Sequence, residues 1–269
     1  MTAAPYSPAS DGRASGDAVL SVENVMLSFG GLTVLNGITL NVRAGELLAL
    51  IGPNGAGKTS VLNCISGLYR PSSGRIRVGD TDITGFKPDR VARLGIARTF
   101  QHGELFPHMS VVDNLLAARH FRIGTSAFSE MFRTRAARRE EEQQRAFAEN
   151  VLKFVGLDRH RDGLAGDLSF GQQKVIGFAR ALAAEPSVLL LDEPSAGLSR
   201  DDREGLAYLI LKSKSSLGLP IVWIEHDMEM VSDIADRIHV LDYGRSLADG
   251  APDDVLQNRE VIKAYLGEA

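Results

Sequence analysis

The stretch at residues 52–59, with the sequence GPNGAGKT, limits the folds open to this chain more than any other feature. It follows an apolar run at residues 47–51 and precedes a segment whose apolar residues recur at helical spacing. A strand, a glycine-rich loop and a helix in this order surround an anionic phosphate with backbone N–H groups and the positive end of the helix dipole. The pattern therefore predicts a phosphate-binding α/β domain.

The residue types within this loop have separate tasks. Glycines at Gly52, Gly55 and Gly57 let the backbone turn with its N–H groups pointing inward. Lys58 is expected to reach the β- and γ-phosphates of a nucleotide, and Thr59 to offer its hydroxyl to Mg²⁺. The competing interpretation is a glycine-rich turn without a ligand, and the strand and helix that flank the loop disfavour it.

Length and composition fit a compact enzyme domain. The chain has 269 residues, of which 44% are hydrophobic and 24% charged, so one large domain with a smaller inserted subdomain is expected. A formal net charge of −4 argues against a general nucleic-acid binder. Because Cys64 is the single cysteine, a disulfide framework is excluded, and we expect this thiol to be a small buried side chain.

The first 17 residues are rich in Ala, Ser, Pro and Gly and lack an apolar segment. This composition predicts a disordered tail and not a signal peptide. Without a signal peptide, the protein is expected to stay in the cytoplasm. Apolar runs elsewhere fall short of the roughly 18 residues that cross a bilayer. Any membrane role is therefore expected to come through a partner.

Two further apolar runs end in polar side chains, as expected where ligands lie at the carboxyl ends of parallel strands. Residues 188–191 lead into Asp192 and Glu193, and residues 221–224 lead to His226. Asp192 would hold Mg²⁺ directly or through water, and Glu193 would orient or deprotonate the attacking water. Without the phosphate loop, a solvated turn would be the better interpretation of the two acids. A lone His after a strand is more often structural.

A second phosphate-facing segment is the sequence LSFGQQ at residues 168–173, which opens a helix that ends before Pro186. Ser169 is a natural N-cap for this helix. Its hydroxyl and the free N–H groups of the first turn could face a γ-phosphate. Taken locally, an ordinary capped helix is the favoured interpretation.

The ordered set of motifs decides between these interpretations, because from Leu20 onward the sequence resembles the nucleotide-binding subunit of ATP-binding cassette (ABC) transporters. The phosphate loop, Gln101, residues 169–173, the Asp192–Glu193 pair and His226 occur in the order and approximate spacing of that family. Within the family, the chain is most similar to the ATPase subunits of branched-chain amino acid importers. The stretches that carry this similarity are SFGGL at 28–32, RTFQH at 98–102 with the following Leu105 and Phe106, and VIKAYLGE at 261–268.

The resemblance implies an α/β fold with a P-loop NTPase core. This core is expected to hold a mixed, largely parallel sheet, an N-terminal antiparallel β subdomain and an inserted α-helical subdomain. The predicted divisions are a disordered tail at 1–18, the ATP-binding core with the β subdomain at 19–100, the helical subdomain at 101–170, the second part of the core at 171–250 and a C-terminal helical segment at 251–269.

The resemblance also implies a site for ATP and Mg²⁺ between two head-to-tail subunits. Lys58 of one subunit would face Ser169 and Gly171 of the other. The catalytic residues implied are Glu193, His226 and Gln101, and those implied for magnesium are Thr59, Gln101 and Asp192. The residues implied for ATP binding are Phe29, Gly52, Pro53, Asn54, Gly55, Ala56, Gly57, Lys58, Thr59, Ser60, Ser169, Gly171 and Gln172.

Partners follow from the same resemblance. They are integral-membrane permease subunits, a second cassette ATPase that is identical or similar to this chain and, indirectly, an extracytoplasmic solute-binding protein, with no nucleic acid. The expected location is the cytoplasmic face of a bacterial inner membrane, held there through the permeases. Leu105 and Phe106 are candidate contacts for a permease helix, and an equally supported interpretation places both in the core.

Several alternatives stay open at this stage. The transported substrate could be urea or a short amide, and an exporter ATPase for lipid-linked cargo carries the same motifs. A cassette ATPase without a permease, as in DNA repair or translation, usually has long coiled coils or two cassettes, whereas this chain has one cassette and no sustained heptads. A non-catalytic nucleotide sensor would be expected to lack Glu193 or His226.

Two positions depart from the commonest family pattern. Phe170 stands where the signature commonly has Gly, and Ser199 stands where the loop after the acidic pair commonly has Asp. Neither change removes a group assigned to phosphate. Because the Asp is replaced, we assign no role in coupling between subunits to Ser199.

Overall fold

A computed structural model of the chain describes residues 4–6, 18–99, 105–120 and 135–266. The strands are β1 (Ala18–Phe29), β2 (Leu32–Arg43), β3 (Leu47–Ile51), β4 (Ser73–Val78), β5 (Thr81–Asp82), β6 (Ile96–Thr99), β7 (Val188–Asp192), β8 (Ile221–Ile224), β9 (Arg237–Asp242) and β10 (Arg245–Gly250). The helices are α1 (Lys58–Ile65), α2 (Pro88–Arg93), α3 (Val111–Ala118), α4 (Arg135–Val155), α5 (Phe170–Ala183), α6 (Arg200–Leu217), α7 (Met228–Ile234), α8 (Pro252–Leu256) and α9 (Arg259–Leu266).

The strands form two sheets. The central sheet has the order β10-β9-β3-β8-β7-β6, in which every neighbouring pair is parallel except β9 with β10. The second sheet is antiparallel with the order β2-β1-β4-β5. This mixed, largely parallel sheet beside an N-terminal antiparallel sheet confirms the predicted fold class.

The central sheet is buried on both faces, as its apolar strand sequences require. Along β3, the side chains of Leu47, Ala49 and Ile51 enter a core shared with helices α3 to α6. The alternate side chains of Leu48 and Leu50 enter a second core, shared with the antiparallel sheet and α1. The sheet therefore separates two hydrophobic layers and holds its polar strand ends along one edge, where the predicted site lies.

Helices α3 and α4 form a helical unit that packs on α5. Ser110 begins α3 as its N-cap, because its side chain accepts a hydrogen bond from the backbone N–H of Asp113. Val151 and Phe154 of α4 are fully buried in the core beside α5. These packed apolar faces place the start of α5 next to the helical unit.

Buried Arg119 joins the elements of this unit. Its Nη1 donates to the carbonyl oxygen of Ala183 at 2.7 Å, and its Nη2 lies 2.8 Å from Oε1 of Glu185. Its Nε donates to Oε1 of Gln144 on α4, and its guanidinium lies 3.7 Å from the ring centroid of Phe147. One cation thus ties the end of α3 to α4 and to the C-terminal end of α5.

Most of the predicted tail at 1–18 lies outside the described residues. Tyr6 is described, and its ring centroid lies 5.9 Å from that of Phe147 on α4. Cys64 is buried as expected, and burial raises the pKa of its thiol to about 12. Within the described ranges, none of the helices is both long and apolar enough to cross a membrane.

Candidate nucleotide-binding site

The loop between β3 and α1 has the conformation that its glycines permit. Gly52, Gly55 and Gly57 all have positive φ, at 145°, 81° and 102°. A Cβ atom at Gly52 would overlap the carbonyl oxygen of Leu241, and one at Gly57 would lie 2.8 Å from Cδ2 of Leu35. Gly52 is therefore required both by its backbone conformation and by the close approach of the β9 backbone, and Gly57 chiefly by its backbone conformation.

Lys58 is held inside this loop. Its Nζ donates hydrogen bonds to the carbonyl oxygens of Gly52 at 2.7 Å and of Pro53 at 3.0 Å. Burial lowers the pKa of Lys58, and the nearby carboxylates of Glu193 and Asp192 offset part of this effect. The cation therefore lies between the phosphate loop and the acidic ends of the strands, where a triphosphate would meet it.

Asp192 ends β7 and is 3% exposed. Its Oδ2 accepts a hydrogen bond from Nη2 of Arg98 at 2.7 Å, whereas its buried Oδ1 has no hydrogen-bond partner among the residues that the structure describes. Thr59 is exposed in the first turn of α1. An unpartnered carboxylate oxygen and a free-facing hydroxyl are ligands that suit Mg²⁺, which typically takes one or two protein oxygens and completes its shell with phosphates and water. The residues present fit this ion.

Glu193 and His226 lie at the ends of the neighbouring strands β7 and β8. Oε1 of Glu193 is 2.8 Å from Nε2 of His226. Glu193 has a positive φ of 47°, and its N–H donates to the carbonyl of Ile224 at 3.0 Å. A left-handed backbone at a non-glycine residue is uncommon, and here it turns the chain sharply after the strand. The turn brings the carboxylate to the imidazole.

A buried pair that the sequence analysis missed supports His226. Oε1 of Glu225 accepts a hydrogen bond from the His226 N–H at 2.9 Å, and its Oε2 accepts one from the Ser195 hydroxyl at 2.6 Å. Glu225 is 4% exposed and Ser195 is 4% exposed. The sequence could have indicated this pair, because Glu225 follows an apolar strand directly and a carboxylate buried there needs a hydrogen-bond partner.

The predicted signature segment begins α5 with a capping box. The hydroxyl oxygen of Ser169 accepts from the Gln172 N–H at 3.3 Å, and Oε1 of Gln172 accepts from the Ser169 N–H at 3.1 Å. Gly171 is buried, and a Cβ there would lie 2.5 Å from the carboxylate of Asp202. These bonds stay within the helix start, so the assignment of Ser169, Gly171 and Gln172 to ATP of a second subunit stays a prediction.

The two departures from the commonest pattern have local structural roles. Ser199 is the N-cap of α6, where its hydroxyl oxygen accepts from the Asp202 N–H at 3.3 Å and its O–H donates to Oδ2 of Asp202 at 2.7 Å. Phe170 is 54% exposed, and its ring lies against the backbone of Gly197. Ser199 thus caps a helix of this subunit, whereas more than half of the Phe170 side chain is accessible.

Phe29 places a half-exposed aromatic ring at the end of β1. Its side chain is 49% exposed, and its ring stands edge-on to that of Tyr69 with a centroid distance of 5.1 Å. An exposed flat ring of this kind can stack on a purine base. The sequence alone would have placed this residue in the core.

Gln101 and His102 lie outside the described residues, and the description resumes at Leu105. Leu105 packs against the core, whereas Phe106 is 46% exposed, with Cζ of Arg180 5.3 Å from its ring centroid. Leu105 and Phe106 therefore differ: Leu105 packs on the core, and Phe106 lies at the surface.

A groove of about 560 Å³ runs beside α5, and the residues that line it include Arg98, Lys174 and Arg180.

The chain matches two family models. Residues 35–196 match the family described as ABC transporter. Residues 245–269 match the family described as branched-chain amino acid ATP-binding cassette transporter. Together they cover the phosphate loop, the end of β7 and the C-terminal helices α8 and α9.

Relatives and solved structures agree with these matches. The chain is 42% identical to the high-affinity branched-chain amino acid transport ATP-binding protein BraF of Pseudomonas aeruginosa, over 93% of this chain and 98% of that protein. It is 41% identical to the corresponding protein LivG of Escherichia coli over the same shares. A crystal structure of a nucleotide-free ATP-binding cassette from an ABC transporter superposes with a TM-score of 0.81 at 31% identity, covering 94% of this chain and 100% of that one.

Proposed function

Because the chain belongs to the ABC transporter family, we propose that it is the ATP-hydrolysing subunit of an importer for branched-chain or related amino acids. The chain is an ABC-type ATPase and binds a nucleotide. Support for the substrate class comes from the relatives, which are named as branched-chain amino acid transport proteins, and from the C-terminal match at residues 245–269. The observation that carries the ATPase mechanism is the contact between Glu193 and His226 beside Asp192.

ATP binding begins at the phosphate loop. The backbone N–H groups of the loop between β3 and α1, Pro53 excepted, and those at the start of α1 receive the β- and γ-phosphates. Lys58 exchanges its hydrogen bonds to the carbonyls of Gly52 and Pro53 for bonds to phosphate oxygens, which are better acceptors for a cation. The exposed ring of Phe29 stacks on the adenine.

Thr59 and Asp192 would hold Mg²⁺, together with Gln101 as implied by the family pattern. The unpartnered Oδ1 of Asp192 supports this assignment. When bound, the ion would neutralise the negative charge that develops on the phosphate oxygens. Oδ2 of Asp192 already accepts a hydrogen bond from Arg98, so Oδ1 is the oxygen left to bind the metal ion.

Hydrolysis depends on Glu193 and His226. Glu193 accepts a hydrogen bond from the attacking water and aligns it with the γ-phosphate. Nε2 of His226 lies 2.8 Å from the Glu193 carboxylate and restricts its orientation, and the same imidazole contacts the γ-phosphate when ATP is present. Glu225 and Ser195 hold the backbone of His226 from the buried side.

The working unit is a head-to-tail pair of cassettes. Ser169, Gly171 and Gln172 of one subunit cover the γ-phosphate bound at Lys58 of the other. The exposed start of α5 supports this arrangement, because its first N–H groups form a second positive helix end. Loss of the γ-phosphate removes the group that bridges the subunits and lets them separate. The second cassette is a copy of this chain or a similar protein.

Permease subunits anchor the pair to the membrane. The groove beside α5 and the exposed Phe106 provide a concave surface with an apolar contact, which suits a short helix from the permease. An extracytoplasmic solute-binding protein would deliver the amino acid to the permeases. The subunit therefore lies at the inner face of a bacterial inner membrane without crossing it.

Extraction of the complex from native membranes tests the proposal. The chain is isolated in mild detergent, and its bound proteins are identified by mass spectrometry. We expect two amino-acid permeases and a second cassette subunit, and leucine uptake that is lost when Glu193→Gln replaces the native chain. Recovery with urea-type or lipid-exporting membrane proteins, or without a membrane partner, would contradict it.

A further inference from the structure

Arg98 places a buried guanidinium beside the end of β7. Its strand β6 is parallel to β7, with Arg98 in register with Leu190. The Arg98 side chain is 6% exposed, and the side chain of Asp192, which it reaches, is 3% exposed. Two buried charges of opposite sign at 2.7 Å need fixed geometry to repay their desolvation. The stability of the pair therefore depends on how both side chains are oriented.

The same guanidinium also contacts α1. Its Nη1 donates to Oδ1 of Asn63 at 2.7 Å and to the hydroxyl oxygen of Ser66 at 3.2 Å. Its Nη2 donates to Oδ2 of Asp192. The planar fork of arginine makes these bonds in two directions at once, which a lysine cannot do. Arg98 thus cross-links the helix that begins at the phosphate loop to the strand that ends in the acidic pair.

The two elements that it joins carry two of the residues assigned to magnesium, Thr59 and Asp192. Asn63 lies four residues after Thr59, so the two share one face of α1. Oδ2 of Asp192 accepts from Arg98, and its buried Oδ1 finds no hydrogen-bond partner within the described part of the chain. Because one carboxylate oxygen is bound in this way, the direction of the other oxygen is fixed. A buried acceptor without a partner is costly unless a donor or a cation binds it.

We propose that Arg98 is a positioning residue for magnesium, which orients the Asp192 carboxylate and sets its separation from Thr59. Side chains that orient metal ligands in this way typically contribute about 10- to 100-fold to metal affinity. The inference rests on the proposed function, because it assigns an outer partner to the magnesium site named there. It adds a residue whose effect passes through Asp192 and does not require contact with ATP.

Binding of Mn²⁺, as a spectroscopic substitute for Mg²⁺, tests the proposal. The full chain is loaded with a non-hydrolysable ATP analogue, and Mn²⁺ affinity is measured by electron paramagnetic resonance. Arg98→Met should weaken Mn²⁺ binding about 10- to 100-fold, while analogue binding in EDTA stays unchanged. Arg98→Lys should fall between Met and the native residue, because it retains charge but loses the fork.

Asn63→Ala provides a milder variant that leaves the pair of Arg98 and Asp192 in place. Loss of this one hydrogen bond should weaken Mn²⁺ binding about threefold to tenfold. Unchanged Mn²⁺ affinity in the folded Arg98 and Asn63 variants would overturn the inference. An equal fall in analogue affinity in EDTA would also overturn it, because that result would indicate a general structural role.

Asp192→Asn separates this inference from the proposed function. If Asp192→Asn lowers Mn²⁺ affinity and the Arg98 variants do not, only the positioning role of Arg98 fails. If Asp192→Asn leaves Mn²⁺ affinity unchanged as well, the assigned magnesium site itself is wrong.

Discussion

The imidazole of His226 meets the carboxylate of Glu193 at 2.8 Å across the ends of two neighbouring parallel strands. The contact joins residues 33 positions apart in the chain. Hydrogen bonds to Ile224 and Glu225 fix the backbone of both residues, so the two side chains start from defined positions. Preorganisation of this kind lets the carboxylate act on a water without first reorienting.

Glu193→Gln should abolish turnover and leave ATP binding intact. The amide keeps the shape of the side chain but cannot act as a base, and loss of a general base typically lowers the rate 10²- to 10⁴-fold. With hydrolysis blocked, ATP should trap the closed dimer. Steady-state phosphate release and size-exclusion chromatography with ATP measure the two effects. Native turnover in this variant would disprove the assignment.

His226→Ala should lower kcat with little change in ATP affinity. The imidazole acts largely by orienting Glu193, so its loss should add little once Glu193 is already changed to Gln. We therefore expect the double variant to match Glu193→Gln alone in phosphate release. Additive losses would show that the two side chains work independently.

Gly52→Ala should destabilise the fold by about 2–4 kcal/mol, because the new methyl would overlap the Leu241 carbonyl and φ there is 145°. The matched control is Gly205→Ala on the exposed face of α6, where a Cβ meets nothing within 4 Å. That change should stabilise by roughly 0.5–1 kcal/mol. Urea unfolding without nucleotide compares them, and similar values for both would contradict the steric argument.

Phe29→Ala should weaken ATP binding. Stacking of a base on an aromatic side chain typically contributes about 1–3 kcal/mol, which corresponds to at least a fivefold change in Kd. Phe29→Trp should preserve affinity. Leu32→Ala is the control, because Leu32 is a 70% exposed apolar side chain paired with Phe29 across the same hairpin. Equal losses in the Phe29→Ala and Leu32→Ala variants would argue against stacking.

An acid-sensitive cluster lies on the hairpin of β9 and β10. Nδ1 of buried His239 is 2.6 Å from Oδ2 of Asp249, and its Nε2 is 2.9 Å from the Ser246 hydroxyl. Partial burial by itself raises the pKa of Asp249, but hydrogen bonding from His239 and the charge of Arg237 outweigh it, so the pKa is held below its usual value.

This lowered pKa gives the hairpin a defined pH dependence. The pairing stabilises the fold above the unfolded carboxyl pKa of about 3.9 and is lost as pH falls through the lower folded pKa. Asp249→Asn should therefore flatten the acid-side fall in unfolding free energy. Urea unfolding at several pH values measures the slope, with Asp233→Asn, an exposed site on α7, as control. Identical slopes in native and Asp249→Asn protein would contradict the prediction.

The sequence predicted the parts of the site that depend on local order. The loop at 52–59 is indicated by its composition and flanking elements, and Asp192 and Glu193 by their position after an apolar run. His226 was assigned only through the family resemblance. The contact of Arg98 with Asp192 spans 94 positions and follows no periodic pattern, so residue spacing could not reveal it. The buried bond between Ser195 and Glu225 escaped for the same reason. The antiparallel sheet was expected only through the family resemblance.

Arg119 holds one end of α5, so a small tilt of this helix would displace its other end by a larger distance. Its bonds clamp the C-terminal end of α5 to the helical unit, while Ser169 stands at the opposite end of this 14-residue helix, about 20 Å away at 1.5 Å per residue. A tilt of only 10° about the clamped end would move Ser169 by about 3.5 Å, more than the length of a hydrogen bond. The groove runs along this same helix, so a contact there that tilted α5 would be amplified at the helix start.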